Sequence, residues 1–238
     1  MPRPLQRMEA NISSWLKHLE ESKKTERREK KRPFVTISRE SGAYGTTIAD
    51  MLAEHLREHE RRREAPWAVF DKELIRKVIE EHNFPARFGS YFAESPTPFI
   101  EDVLSELFGF HPLQETLVNS MSETILQLAT LGYVILVGRG ANIITRKLPN
   151  GVHVRLVGSL EKRVVHMKEY LNLSEEQARE YVMKEDHNRR AYIKRYFQKD
   201  INDMSLYDLI INTDTVPFRD AVMIIADTVL RTQAKDAV

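Results

Sequence analysis

Tyr133-Val134-Ile135-Leu136-Val137 is apolar at every position and runs straight into Gly138-Arg139-Gly140. A strand that alternates apolar and polar residues can leave one face in water, whereas five apolar residues in a row need cover on both. This one run therefore points to a parallel sheet with helices on each side. The rest of the chain supplies matching pieces. Phe34 to Ile37, Trp67 to Phe70, Val152 to Val157 and Asp208 to Ile211 are short strand-like runs. Between them lie stretches of helical spacing. Ile48, Met51, Leu52, His55 and Leu56 share one face, and Leu74, Ile75, Val78 and Ile79 do so within Lys72 to His82. Leu113 to Leu131, Leu160 to Tyr170 and a long charged stretch from Ser174 to about Phe197 are also predicted helical. Pro217 is predicted to open the final helix, since its fixed φ suits the first helical position.

Two segments break this alternation. Residues 83–112 carry prolines, glycines and many Phe and Tyr without a clean period, and read as short helices and loops over a cleft. Residues 1–33 form a separate N-terminal unit ahead of a single domain at 34–238. Leu5, Met8, Ile12, Trp15 and Leu19 make an amphipathic helical stripe, and Glu21 to Arg32 is almost wholly charged. Two heptads are too short to stand alone, so the stripe is expected to dock on its own domain or on a partner, including a second copy of the chain.

Charge and composition remove several classes of function. The 238 residues carry a net charge of only +1, which favours neither a nucleic acid nor a membrane surface as partner. There is no cysteine, which excludes disulfides, thiolate nucleophiles and Cys-based zinc sites. No apolar run is long enough for a membrane span, and the N-terminus lacks a signal peptide's apolar core. The expected location is cytoplasmic.

Four places have the residues for chemistry. The first is Ser38-Arg39-Glu40-Ser41-Gly42-Ala43-Tyr44-Gly45-Thr46-Thr47, between a strand and a helix. Such a turn aims backbone N–H groups and a helix N-terminus at one spot, an anion site. Against the Walker pattern G-x-x-x-x-G-K-[ST], Thr46 takes the last place and Gly45 the place of the lysine. A tight strand–helix connection is the plainer alternative. The second is Arg139, flanked by glycines at the carboxyl end of the most apolar strand, where a guanidinium can fork onto a phosphate or carboxylate. A surface arginine in a turn is the alternative there. The third is Lys184 to Lys199, with six Lys or Arg against two carboxylates, among them Asp186, Arg189, Arg190 and Arg195. It would close over polyphosphate as a lid, or be a solvated helix laced with ion pairs. The fourth is Asp71-Lys72 at the end of the second strand, where Asp71 either caps the next helix or faces substrate. His55-Leu56-Arg57-Glu58-His59 matches an inverted zinc-protease pattern, but His55 falls on the apolar face and arginines crowd the rest.

Taken in order, Ile37-Ser38-Arg39-Glu40 with Gly42 and Gly45, Asp71 to Ile75, Val137 to Asn142, Asp186 with Arg189 and Tyr192, and Tyr207 to Thr213 resemble the cytidylate-kinase-like family from about residue 34 to 230. The resemblance implies an α/β, three-layer fold of the P-loop nucleoside-monophosphate-kinase type, with a five-stranded parallel sheet, a lid and an N-terminal helical extension. It implies ATP and Mg2+ as cofactors and phosphoryl transfer from ATP to a nucleoside monophosphate such as CMP or dCMP. Ser41, Gly42, Ala43, Tyr44, Gly45, Thr46 and Thr47 would cradle the donor phosphates, with Thr46 the metal ligand. Arg39, Asp71, Lys72 and Arg139 would line the acceptor side, and Arg139, Arg189, Arg190, Arg195 and Asp186 would serve catalysis. The chain departs from the family in its loop, which reads Gly-Ala-Tyr-Gly where Gly-Ser-Gly-Gly is usual. Tyr44 is therefore expected to alter the approach of phosphate, and Arg39 or the lid arginines must replace the charge of the missing lysine. Two other readings stay open: a catalytically weak nucleotide-binding regulator that docks through residues 1–33, and a kinase whose acceptor is not a nucleotide.

Overall fold

Phe34–Arg39 (β1) is the middle strand of the sheet in a computed structural model, which describes residues 32–59, 67–71 and 116–235. It is flanked by β2 (Ala68–Phe70), β3 (Val134–Val137), β4 (Gly151–Val157) and β5 (Leu209–Asn212) in the order β2-β3-β1-β4-β5. Every pairing is parallel. The described helices are α1 (Gly45–His59), α2 (Thr116–Leu131), α3 (Ala141–Ile144), α4 (Leu160–Leu171), α5 (Glu175–Phe197) and α6 (Phe218–Lys235).

Strand alternation sorts the apolar residues into two layers. Val35, Ile37, Ile135, Val137 and Val154 face Ile48, Leu52 and Leu56 of α1 and Val222, Ile225 and Val229 of α6. Phe34, Phe70, Val134 and Leu136 face Ile125 and Leu128 of α2, joined by Ile193 and Phe197 from the end of α5. All four residues of β3 are buried, as a strand covered on both faces must be. Truncating Leu136 to Ala would cost about 2–5 kcal/mol in transfer and cavity terms.

The α4–α5 hairpin crosses the carboxyl edge of the sheet. Asn172 ends α4 in the left-handed region, at φ 53. Ser174 then starts α5 with a capping box: its Oγ accepts from Gln177 N at 3.2 Å and Gln177 Oε1 accepts from Ser174 N at 3.0 Å. Val164 and Met167 pack on Ala178 and Val182 to hold the two helices together.

Several boundaries differ from the sequence reading; β1, for one, runs on through Ser38 and Arg39 instead of ending at Ile37. Tyr133 lies in a left-handed turn at φ 55, with its N–H donating to Pro33 O at 2.6 Å, so β3 begins one residue later. Asp208 precedes β5, and its carboxylate is drawn into bonds outside the strand. Pro217 stands just before α6, where its carbonyl accepts from Ala221 N at 2.9 Å, rather than inside the first turn. The amphipathic stripe at 5–19, the helix at 72–82 and the segment 83–112 lie outside the described residues. Among the described residues, no helix is long and apolar enough to cross a membrane.

Candidate active site

β1 carries Ser38 and Arg39 to the carboxyl edge between β3 and β4, and the chain then turns into α1. Gly42 sits at φ 84, and a Cβ there would fall 2.6 Å from the Arg163 carbonyl oxygen, so the loop lies directly on α4. Ala43 N–H closes the turn on Glu40 O at 3.2 Å. Gly45 is the first residue of α1, whose opening N–H groups have no intrahelical acceptors and favour an anion. Thr46 and Thr47 follow on that turn, both exposed.

The hairpin grips this loop by its backbone. Asp186 Oδ1 accepts from Ser41 N at 2.7 Å and Asp186 Oδ2 pairs with Arg163 Nη1 at 2.6 Å. Arg163 also donates to Ser41 O at 3.0 Å and to Gly158 O at 2.9 Å, and its Nε lies 3.4 Å from Glu40 Oε2. His166 Nδ1 is 2.8 Å from Gly42 O. Tyr44, at φ 56, stacks on the His166 ring with centroids 3.7 Å apart and touches Phe218 at 4.4 Å. Burial, and then the charge of Glu169, pushes its phenol pKa up.

A cavity of about 340 Å³ opens at the carboxyl ends of β1 and β3. Ser38, Arg39, Gly138, Arg139, Gly140 and Asn142 line it from the sheet, and Glu185, Asn188, Arg189 and Tyr192 from α5. A second cavity of about 90 Å³ shares Arg39, Arg189 and Ile201 with the first and adds Glu40, Arg155, Arg163, Asp186 and Arg190. Tyr44 lines neither, so its ring does not crowd these spaces. Together the two cavities bring six arginines against three carboxylates, a surplus of positive charge that calls for an anion.

Every predicted site residue except Lys72 falls within the described residues. Arg39 runs over Gly45 towards Gly138. Burial, and then the nearby Arg189, lowers its pKa to about 10; Asp71 opposes this and Arg139 adds to it. The side chain stays protonated at neutral pH. Arg139 has φ 56 between Gly138 at φ 86 and Gly140 at φ 71, and its guanidinium lies 5.4 Å over the Tyr192 ring. The Asp208 carboxylate, just before β5, accepts from His153 N at 2.7 Å and pairs with Arg146 at 3.3 Å. Arg189 is 3.5 Å from Asp186 and 3.6 Å from Glu185. Arg195 stands apart from both cavities, exposed, with its guanidinium 5.4 Å over Tyr196. Asp71 directly follows β2, and Lys72 lies outside the described residues.

Sequence reasoning missed Arg155 and Arg163. Arg155 sits inside β4, 6% exposed, donating to Ser38 Oγ at 3.0 Å and Asn202 Oδ1 at 3.3 Å and lying 5.6 Å over Tyr207. Arg163 is 8% exposed beside Val164. The available signal was a charged residue within an otherwise strand-like run, and another on the buried side of a helix. Among the described residues, no group of three or more His, Asp or Glu side chains is placed to hold a metal ion.

The chain is similar in sequence and in fold to known proteins. The sequence model of the Cytidylate kinase-like family matches residues 34–215. A cytidylate kinase of Pyrobaculum aerophilum is 32% identical over 198 residues, covering 81% of this chain and 90% of that protein. An uncharacterized protein from Eubacterium ventriosum, known from its crystal structure, shares the fold with a TM-score of 0.61 at 23% identity, covering 84% of this chain and 98% of that one.

Proposed function

The chain belongs to the cytidylate kinase-like family, and on that premise we propose that it transfers a phosphoryl group from ATP to a nucleoside monophosphate, with CMP or dCMP the expected acceptor. The observation that carries this reading is the convergence of six arginines on two cavities that share Arg39, Arg189 and Ile201 at the end of β1. Phosphoryl transfer asks little covalent chemistry of a protein; it needs alignment and neutralisation of charge on the moving group.

Residues 41–47 would receive the donor phosphates through backbone N–H groups at the start of α1. Thr46 would be the protein ligand of a magnesium ion held mainly by phosphate oxygens and water, which would help neutralise that charge. In the larger cavity Arg139, with Asn142 nearby, would hold the acceptor's phosphate, and Asp71 with Lys72 would line the same side. Arg189 and Arg190 would flank the transferring group. Asp186 would keep the loop and Arg163 in place. No role is assigned to Arg195.

ATP consumption measured against a panel of nucleoside monophosphates and other small phosphate acceptors tests the reading. Turnover highest with CMP or dCMP is expected, and no turnover with any nucleoside monophosphate defeats it. The glycine in the lysine place of the loop favours a second reading, a nucleotide-binding protein without turnover. That protein would bind ATP in the same experiment and leave it intact.

A further inference from the structure

Gly45 occupies the place of the Walker lysine, and the space beside it is already filled. A Cβ built at Gly45 would lie 2.7 Å from Arg39 Cγ, 3.2 Å from its Cβ and 3.3 Å from its Cδ. The stem of Arg39 therefore runs through the volume that a side chain at 45 would enter first. Beyond Gly45 its guanidinium comes to rest against Gly138, so close that a Cβ there would overlap Nη1.

Two further observations give this guanidinium a task. It is common to the walls of both cavities, together with Arg189 and Ile201. Among the described residues the guanidinium has no hydrogen-bond or ion-pair partner; Arg189 and Arg139 press on it with like charge, and Asp71 and Glu185 act on it with opposite charge without bonding to it. A half-buried cation left unpaired beside other cations costs free energy unless an anion joins it.

We propose that Arg39 is the catalytic cation of this loop: it reaches the donor phosphates from the end of β1 in place of a lysine from α1, and the two side chains are mutually exclusive occupants of one volume. The inference rests on the kinase reading for the identity of the anion, a nucleoside triphosphate. The geometry also explains the residue at 45. Glycine is needed there because Arg39 lies across it, not for an unusual backbone angle. An arginine from the strand offers a planar fork to two phosphate oxygens where a lysine offers a point charge.

Reciprocal exchange tests this. Arg39→Ala, Arg39→Met, Gly45→Lys and the double variant Arg39→Ala/Gly45→Lys are compared with the unmodified full chain. Binding of MgATP and of inorganic tripolyphosphate is read by calorimetry, and turnover is read separately. Arg39→Ala and Arg39→Met should weaken binding of both probes on the order of 10- to 100-fold. Gly45→Lys alone should weaken it too, since the lysine meets the Arg39 stem. In the double variant the lysine enters the vacated space and binding should return to within about tenfold of the unmodified chain. Binding unchanged in Arg39→Met, or a folded double variant no better than Arg39→Ala, overturns the proposal. Should the double variant not fold, Arg39→Met against Arg39→Lys decides, because only the lysine should keep part of the affinity. An unmodified chain that binds tripolyphosphate through Arg39 but transfers nothing defeats the kinase reading alone. An unmodified chain that transfers phosphate with Arg39→Met equally active defeats the Arg39 proposal alone.

Discussion

Arg139 holds a left-handed backbone, φ 56, that glycine would adopt without strain. A non-glycine residue kept in that region costs about 1 kcal/mol or more, and such residues cluster where function requires them. Arg139→Gly should therefore leave the melting temperature unchanged or slightly raised, the relieved strain offsetting a lost stack on Tyr192 worth about 0.5–1 kcal/mol. Acceptor affinity should fall on the order of a hundredfold while donor binding holds. Arg139→Lys should recover only part, because an ammonium lacks the fork. A falling melting temperature with donor and acceptor impaired alike would return Arg139 to a structural role. His153 makes a different demand. It is buried beside Thr36, with Nδ1 2.9 Å from Thr36 Oγ1, and burial holds its pKa down to about 4, Asp208 opposing. The unfolded chain, with an ordinary histidine near 6.5, binds the proton more readily than the folded one. Stability from this group is thus complete above about pH 6.5 and declines as pH falls towards 4. Urea unfolding of His153→Gln between those limits should show a flatter acid limb than the unmodified protein.

At the scale of elements, the arrangement turns on how α5 is tied to the β1–α1 loop. Asp186 satisfies the Ser41 N–H and half of the Arg163 guanidinium at once, with side-chain exposures of 19% and 10% for the pair. Removing one partner of such a pair leaves the other charge poorly compensated, at a cost of roughly 3 kcal/mol. Asp186→Ala should lower the melting temperature accordingly and speed hydrogen exchange at the Ser41 amide. Unchanged exchange at Ser41 would mean that the loop holds its shape without α5. The tie also matters for the site, because Glu185, Arg189 and Tyr192 stand on the same helix and reach the cavity only while α5 lies across the sheet edge.

For the molecule as a whole, the described domain closes around its sheet, and its first described residues are docked. Pro33 O accepts from Tyr133 N, and Arg32 Nη1 donates to Leu131 O at 3.4 Å. The stripe Leu5, Met8, Ile12, Trp15 and Leu19 lies before them and needs a surface to cover it. We expect self-association or partner docking through the segment 1–33, which is tested by removing residues 1–31. Deleting them, with Arg32 kept, should lower the mass in solution by light scattering with little change in the domain's melting temperature. An unchanged mass and solubility would count against that role.

Periodicity and punctuation determined the frame. Five apolar residues at 133–137 demanded two-sided cover, and the helical stripes at 48–56 and 113–131 supplied it, one on each face. These are short-range signals, set by side-chain spacing within a few residues, so the alternation of strands and helices was legible, and the five-stranded parallel sheet agrees with the resemblance. The site was legible only where a motif lies within one turn: Gly42 to Thr47, Arg139 and the arginines of α5. Arg155 and Arg163 carry no local mark of function, because their roles come from distant partners, Ser38 across the sheet and Asp186 on the neighbouring helix. Tertiary packing likewise parted Arg189 and Arg190, which line the cavities, from Arg195, which does not. Most of all, only the folded chain could show that Arg39 lies across Gly45, since nothing in their six-residue separation says which of two side chains occupies the space between them.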